Sequence, residues 1–89
     1  MEGPSSTGYT IYTKSECGYC RRANELLPEA VVINCDGYLE KERVAFLLQM
    51  DEWSKATPRT FPMVFSDGVF VGGYDETKKK IDFNTTIDF

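Results

Sequence analysis

The chain has 89 residues, of which 42% are hydrophobic and 27% are charged, and these proportions are typical of one small globular domain. Fourteen acidic and ten basic side chains give a net charge of −4, which disfavours binding to nucleic acid or an anionic membrane through bulk charge. No apolar run approaches the roughly 20 residues of a membrane-spanning helix, and the absence of histidine excludes Ser-His-Asp and Cys-His catalysis.

The first third of the chain predicts a strand, a helix and a second strand. Residues 1–8 are small or polar and lack the apolar stretch of a signal peptide, so we interpret them as a flexible arm and expect a cytoplasmic protein. Residues 9–12 are aromatic or β-branched, which favours a strand. Apolar residues then recur at helical spacing from Cys20 until Pro28 disfavours helical geometry. Residues 30–34 predict the second strand.

The middle of the chain predicts an amphipathic helix. Asp36 and Gly37 are typical of a turn, and residues 39–50 have helical periodicity. The apolar face is predicted to consist of Val44, Leu47 and Leu48.

The last third predicts a hairpin and a short helix. Residues 63–66 and 69–71 are expected to be strands joined by a two-residue Asp-Gly turn. Residues 74–80 favour a helix with acidic residues near its start and lysines near its end, whereas residues 81–89 have no clear pattern. The order of elements predicts a parallel strand pair joined by a crossover helix, extended by a hairpin into a mixed sheet.

Two cysteines at Cys-x-x-Cys spacing are the strongest chemical signal. Cys17 follows the first strand and opens the first helix, where unpaired N–H groups and the positive helix end stabilise a thiolate. Lys14, Arg21 and Arg22 add local positive charge to an acidic chain. Cys20 lies one helical turn further on, where it can attack a mixed disulfide formed at Cys17.

A structural role for this pair is the alternative. Two thiols can form half of a zinc site or lie unreactive in a core, but a position between a strand and a helix favours redox chemistry. Cys35 lies at a strand end without a partner in the sequence, and we expect a buried, inert thiol.

Three segments together resemble the glutaredoxin family. Residues 14–20, 59–65 and 72–75 follow one another at family-like spacing, and the match extends from residue 9 to about residue 80. The resemblance implies an α/β, thioredoxin-like fold with a small four-stranded mixed sheet flanked by helices. It also implies glutathione-dependent thiol–disulfide exchange, with Cys17 as the nucleophile and Cys20 as the resolving thiol.

The resemblance further implies a groove that binds glutathione. Its positions in this chain are Lys14, Tyr19, Gln49, Thr60, Phe61, Pro62, Gly73, Asp75 and Glu76. Lys14 and Gln49 are expected to bind the glycine carboxylate. Asp75 and Glu76 are expected to hold the γ-glutamyl ammonium, although both also suit the positive end of a helix. Phe61 precedes a proline that is cis in this family, so its backbone is expected to pair with the cysteinyl part like an added strand.

The chain departs from the family pattern at four places. Gly18 stands where dithiol members often have proline, which makes the turn more flexible. Phe61 replaces the usual valine, and Glu76 replaces the usual aspartate. The chain also stops soon after Lys80, so the final helix is expected to be short or absent.

The resemblance supports three functional hypotheses. The first is reduction of protein–glutathione mixed disulfides and of protein disulfides, with ribonucleotide reductase among the partners, by a monomer. The second is a dimer that holds a [2Fe–2S] cluster through Cys17 and glutathione, because Gly18 replaces the middle proline. The third is a thioredoxin-like electron donor served by a reductase, which the segments at residues 60–62 and 72–73 disfavour.

Overall fold

A computed structural model describes residues 1–87, with side chains described as far as residue 83. The elements alternate as the sequence predicts, except that the second helix is divided into two. They are β1 (Tyr9–Thr13), α1 (Gly18–Leu26), β2 (Val31–Asn34), α2 (Asp36–Lys41), α3 (Arg43–Ser54), β3 (Met63–Ser66), β4 (Val69–Gly72) and α4 (Tyr74–Ile87).

The four strands form one mixed sheet in the order β2-β1-β3-β4. β1 pairs with β2 in parallel, with Ile11 opposite Val32. The pairing is parallel because α1 returns the chain to the end of the sheet at which β1 begins. β1 pairs with β3 in the antiparallel sense, with Ile11 opposite Val64. The predicted α/β, thioredoxin-like sheet is therefore confirmed.

The predicted hairpin between β3 and β4 is confirmed. Asp67 and Gly68 have φ values of 51° and 82°, and this left-handed pair is what a tight turn between twisted antiparallel strands requires. The Asp67 side chain also accepts a hydrogen bond from the Gly8 backbone N–H at 2.7 Å.

Hydrophobic side chains fill both faces of the sheet. Alternate residues of a strand point to opposite faces, so Ile11 and Tyr12 enter different clusters. Ile11 packs with residues of α1 and α4, including Ala23 and Ile81. Tyr12 packs with Phe46 and other residues of the α2–α3 side. The sheet thus forms a central layer between two helical layers.

The helix predicted over residues 39–50 differs from the structure in its bounds and in its buried face. It begins at Asp36, where a turn was predicted, and the chain breaks at Glu42 before α3 continues to Ser54. Val44 and Leu48 are 72% and 63% exposed, so the predicted apolar face is wrong at both positions. The buried residues of α3 are Phe46, Met50 and Ser54, because the break at Glu42 sets the side of the new helix that faces the sheet.

Both ends of the chain are more structured than their composition predicts. The helix predicted over residues 74–80 continues to Ile87, and the last two residues of the unassigned tail lie outside the described residues. In the N-terminal arm, the Glu2 carbonyl accepts a hydrogen bond from the Tyr12 hydroxyl at 2.8 Å. The Ser5 N–H donates to Thr10 Oγ1 at 2.9 Å. Among the described helices, none combines the length and apolar character needed to cross a membrane.

Candidate active site

The two cysteines of the Cys-x-x-Cys segment meet at the start of α1. Cys17 is the N-cap residue of this helix, and its Sγ accepts a hydrogen bond from the Cys20 backbone N–H at 3.2 Å. The two residues form a disulfide with a Cα–Cα distance of 5.2 Å. Cys20 is buried, whereas Cys17 is only half-buried. The more accessible sulfur therefore lies at the positive end of the helix, where a thiolate is stabilised after reduction.

A cis peptide lies next to Cys17. The Phe61–Pro62 bond is cis, as the resemblance implies, and Pro62 is buried. The Phe61 carbonyl oxygen is 3.8 Å from Cys17 Sγ. The backbone before Pro62 therefore lies beside the reactive sulfur, where it can contact whatever is bound to that sulfur.

Two hollows meet at Thr60 and Phe61, and together they form one groove beside the disulfide. The first has a volume of about 300 Å³ and the second of about 330 Å³. Besides the two shared residues, the first is lined by Lys14, Leu39, Arg43, Leu47 and Arg59. The second is lined by Tyr19, Pro62, Gly73, Tyr74 and Asp75. The structure thus brings seven of the nine predicted glutathione-binding residues together.

The groove has opposite charges at its two ends. The first hollow, which we call the cationic hollow, carries Lys14, Arg43 and Arg59, whereas Asp75 is the acidic residue of the second. Arg59 donates to both carboxylate oxygens of Asp51, at 2.7 and 3.0 Å. These hydrogen bonds lower the pKa of Asp51 and raise that of Arg59, so the pair stays ionised. An extended ligand with an anionic and a cationic end fits this distribution.

Aromatic rings form the outer wall of the second hollow. The Tyr19 ring is 56% exposed and lies 5.9 Å from the Tyr74 ring between centroids. The Arg22 guanidinium lies 5.3 Å from the centroid of the Tyr19 ring. The cation–π contact holds one of the predicted cations near the cysteines.

Glu76 caps α4 and does not line either hollow of the groove. Its Oε1 accepts a hydrogen bond from the Gly73 backbone N–H at 2.8 Å, which satisfies one of the unpaired donors at the helix start. Gly72 has a φ of 135°, and a Cβ there would lie 2.8 Å from the Glu76 side chain. The close approach therefore requires glycine at this position. Of the two residues expected to hold the γ-glutamyl ammonium, Asp75 lines the groove and Glu76 does not.

Gln49 also lies outside the groove. It lines a separate hollow with Met1, Tyr38 and Phe46 among its other residues. The structure does not bring Gln49 together with Lys14, because Leu47 occupies the α3 position that faces the cationic hollow.

The loop before Cys17 is tied to the start of α2. The Ser15 backbone N–H donates to Asp36 Oδ1 at 2.9 Å, and the Ser15 hydroxyl donates to Asp36 Oδ2. These hydrogen bonds, together with the nearby Lys14, lower the pKa of the Asp36 carboxyl. The loop carrying Lys14 is therefore held on the α2 side of the groove.

Cys35 is a buried free thiol, as predicted. Burial, with a smaller effect from the Asp36 carboxylate, raises its pKa to about 12. The thiol is therefore almost entirely protonated at neutral pH and lacks the nucleophilic form. Within the part of the chain that the structure describes, no group of three metal-ligating side chains occurs.

Two cations of the groove, Arg43 and Arg59, were not predicted from the sequence. Leu39, Arg43 and Leu47 are spaced four residues apart in the sequence. In a helical segment this spacing predicts that the three side chains lie on one face. Arg59 lies in the segment that carries the resemblance, next to Thr60. Its ion pair with Asp51 joins residues eight apart and is visible only in the structure.

Comparisons with known proteins agree with this geometry. A family model described as glutaredoxin matches residues 9–71. Glutaredoxin-C4 from Arabidopsis thaliana is 31% identical over 84 residues, which cover 82% of this chain and 54% of that protein. The chain thus spans about half the length of this curated relative.

Solved structures give the same result for the fold. Glutaredoxin 1 from Francisella tularensis, complexed with cacodylate, has a TM-score of 0.74 at 26% identity and covers 89% of this chain and 96% of that one. The holo form of glutaredoxin C1 from Populus tremula x tremuloides has a TM-score of 0.71 at 26% identity and covers 93% and 82%. A buckwheat glutaredoxin–glutathione complex has a TM-score of 0.68 at 27% identity and covers 90% and 73%.

Proposed function

The chain belongs to the glutaredoxin family, and we propose that it catalyses glutathione-dependent thiol–disulfide exchange. The observation that carries the proposal is the position of Cys17 at the N-cap of α1, beside the Phe61 carbonyl and a groove with opposite charges at its ends. Glutathione is a tripeptide with two carboxylates and one ammonium, which suits such a groove. The buckwheat relative, whose structure is a complex with glutathione, supports this choice of ligand.

The proposed reaction begins at Cys17. Its thiolate attacks the glutathione sulfur of a mixed disulfide, the S–S bond breaks, and the other thiol leaves with the electron pair and takes up a proton. The resulting Cys17–glutathione disulfide is resolved by a second glutathione or by Cys20, which forms the Cys17–Cys20 disulfide. Glutathione supplies the electrons in both routes, so the exchange balances without another cofactor.

We assign the glycine carboxylate of glutathione to Lys14 and Arg59, and the γ-glutamyl ammonium to Asp75. The cysteinyl backbone is proposed to pair with that of Phe61, above Pro62 and between Thr60 and Tyr19. The substrates proposed are protein–glutathione mixed disulfides and protein disulfides, ribonucleotide reductase among them, in a reducing compartment such as the cytoplasm.

The test is glutathione-coupled reduction of a small glutathione mixed disulfide by the wild type, Cys17→Ser and Cys20→Ser. We expect Cys17→Ser to abolish turnover and Cys20→Ser to retain it, because a second glutathione can resolve the intermediate. Turnover by Cys17→Ser would refute the assignment of the nucleophile. If a colourless wild type is inactive with glutathione but active with a thioredoxin reductase, the reductase-served hypothesis replaces this one. An inactive, brown wild type would favour the [2Fe–2S] dimer.

A further inference from the structure

The cationic hollow holds more positive charge than one carboxylate requires. Lys14, Arg43 and Arg59 all line it, and Asp51 neutralises only Arg59. The Arg43 side chain forms no ion pair or hydrogen bond with any residue in the described part of the chain, and it is exposed. The glycine carboxylate of glutathione would leave at least one of these cations without a partner.

Position in the groove indicates which part of a substrate meets this charge. In glutathione the residue after the cysteine is glycine, which ends in the carboxylate. A protein cysteine whose backbone pairs with Phe61 in the same direction places its next residues toward Lys14 and Arg43, since each extended residue advances about 3.3 Å. Carboxylates on those residues can then occupy the cationic hollow.

We infer that the protein substrates are disulfides whose cysteine is followed by acidic residues, and that Arg43 determines this preference. This inference rests on the proposed function. The chain as a whole has a net charge of −4 and repels an acidic peptide at long range. A preference for acidic peptides therefore requires a local source of positive charge, and the cationic hollow supplies one.

The exchange step is the same as with glutathione. The Cys17 thiolate attacks one sulfur of a peptide disulfide, a Cys17–peptide disulfide forms, and the second peptide leaves as a thiolate that takes up a proton. In the Cys20→Ser variant no resolving thiol is present, so the mixed disulfide accumulates and can be counted by mass spectrometry.

The test uses two symmetric peptide disulfides with blocked ends, one built from Gly-Ala-Cys-Asp-Glu-Gly and the other from Gly-Ala-Cys-Asn-Gln-Gly. Each rate constant for trapping by reduced Cys20→Ser is divided by that of 2-mercaptoethanol with the same peptide, which removes intrinsic reactivity. We expect the acidic peptide to react about three- to ten-fold faster, because ion pairs between exposed side chains each contribute little. The ratio should fall in 0.5 M salt.

Arg43→Gln in the same background should reduce the ratio about two- to five-fold, and Arg43→Lys should retain most of it. Lys79→Gln is the matched control, because it removes one exposed cation that lines a hollow sharing no residue with the cationic hollow. Equal rates for the two peptides would overturn the inference, as would a preference that survives Arg43→Gln or is lost in Lys79→Gln. Trapping of glutathione but of neither peptide would also overturn it while sparing the proposed function. Failure to trap glutathione at Cys17 would refute the proposed function itself.

Discussion

A stack of three aromatic rings connects the core to the groove. Phe46 is 2% exposed and stacks on Tyr38 at 6.0 Å and on Phe61 at 6.1 Å. The backbone of Phe61 lies beside Cys17, so this buried ring supports the part of the groove that is proposed to contact glutathione. We therefore expect Phe46 to affect both stability and substrate binding.

The Phe46→Leu substitution keeps an apolar side chain and removes both ring contacts. Each aromatic pair contributes about 0.5–1.5 kcal/mol beyond its burial, so the free energy of unfolding should fall by about 1–3 kcal/mol. Because Phe61 then loses its support, we expect KM for a glutathione mixed disulfide to rise about three- to ten-fold. The value of kcat should change less than two-fold, because Cys17 is positioned by α1.

The assay combines urea denaturation with glutathione-coupled turnover at 25 °C. Ile11→Val is the control, because Ile11 is fully buried in the other core cluster and the change costs about 0.5–1.5 kcal/mol. Ile11→Val should lower stability without a change in KM. If Phe46→Leu is destabilised and its KM remains that of the wild type, the proposed link between the ring stack and the groove is wrong.

Three further predictions concern the surroundings of the groove. With a pKa of about 12, roughly one Cys35 thiol in ten thousand is ionised at pH 8. Iodoacetamide should therefore label Cys35 in urea and not in the native chain. Rapid labelling of Cys35 in the native chain would contradict its burial. Glu76→Ala should lower the free energy of unfolding, measured by urea denaturation, by about 1 kcal/mol, because the Gly73 N–H loses its partner. Glu76→Gln should recover most of this loss. If Glu76→Ala is as stable as the wild type, Glu76 does not cap the helix. The Ser15 hydrogen bonds lower the pKa of Asp36 in the folded chain. Their contribution to the free energy of unfolding is therefore present above the pKa that Asp36 has in the unfolded chain. It is lost as the pH falls through the pKa that Asp36 has in the folded chain. The stability difference between the wild type and Asp36→Asn should therefore shrink from pH 7 to pH 3, and a constant difference would refute this linkage.

Local sequence signals were sufficient for most of the fold. The Asp67-Gly68 turn was predictable because few residue pairs adopt two consecutive left-handed conformations. The start of α1 was predictable because it follows a strand of aromatic and β-branched residues. The bounds of α2 and α3 were not, because Glu42 interrupts a pattern that otherwise reads as one helix.

The candidate site was predictable where its residues lie within short segments. Cys17, Cys20 and the segment before Pro62 each follow from motifs whose geometry is local. Gln49 was expected in the groove only through the resemblance, whereas the break in the helix and the loop after α3 decide which side chain faces the groove. The structure brings Leu47 and Arg43 to that position in place of Gln49.

The most direct test of the central claim is to locate glutathione on the protein. Reduced Cys20→Ser is mixed with glutathione disulfide, quenched with acid and analysed by peptide mass spectrometry. We expect one glutathione per chain, attached to Cys17, with Cys35 unmodified. Glutathione on Cys35, or no adduct at Cys17, would contradict it.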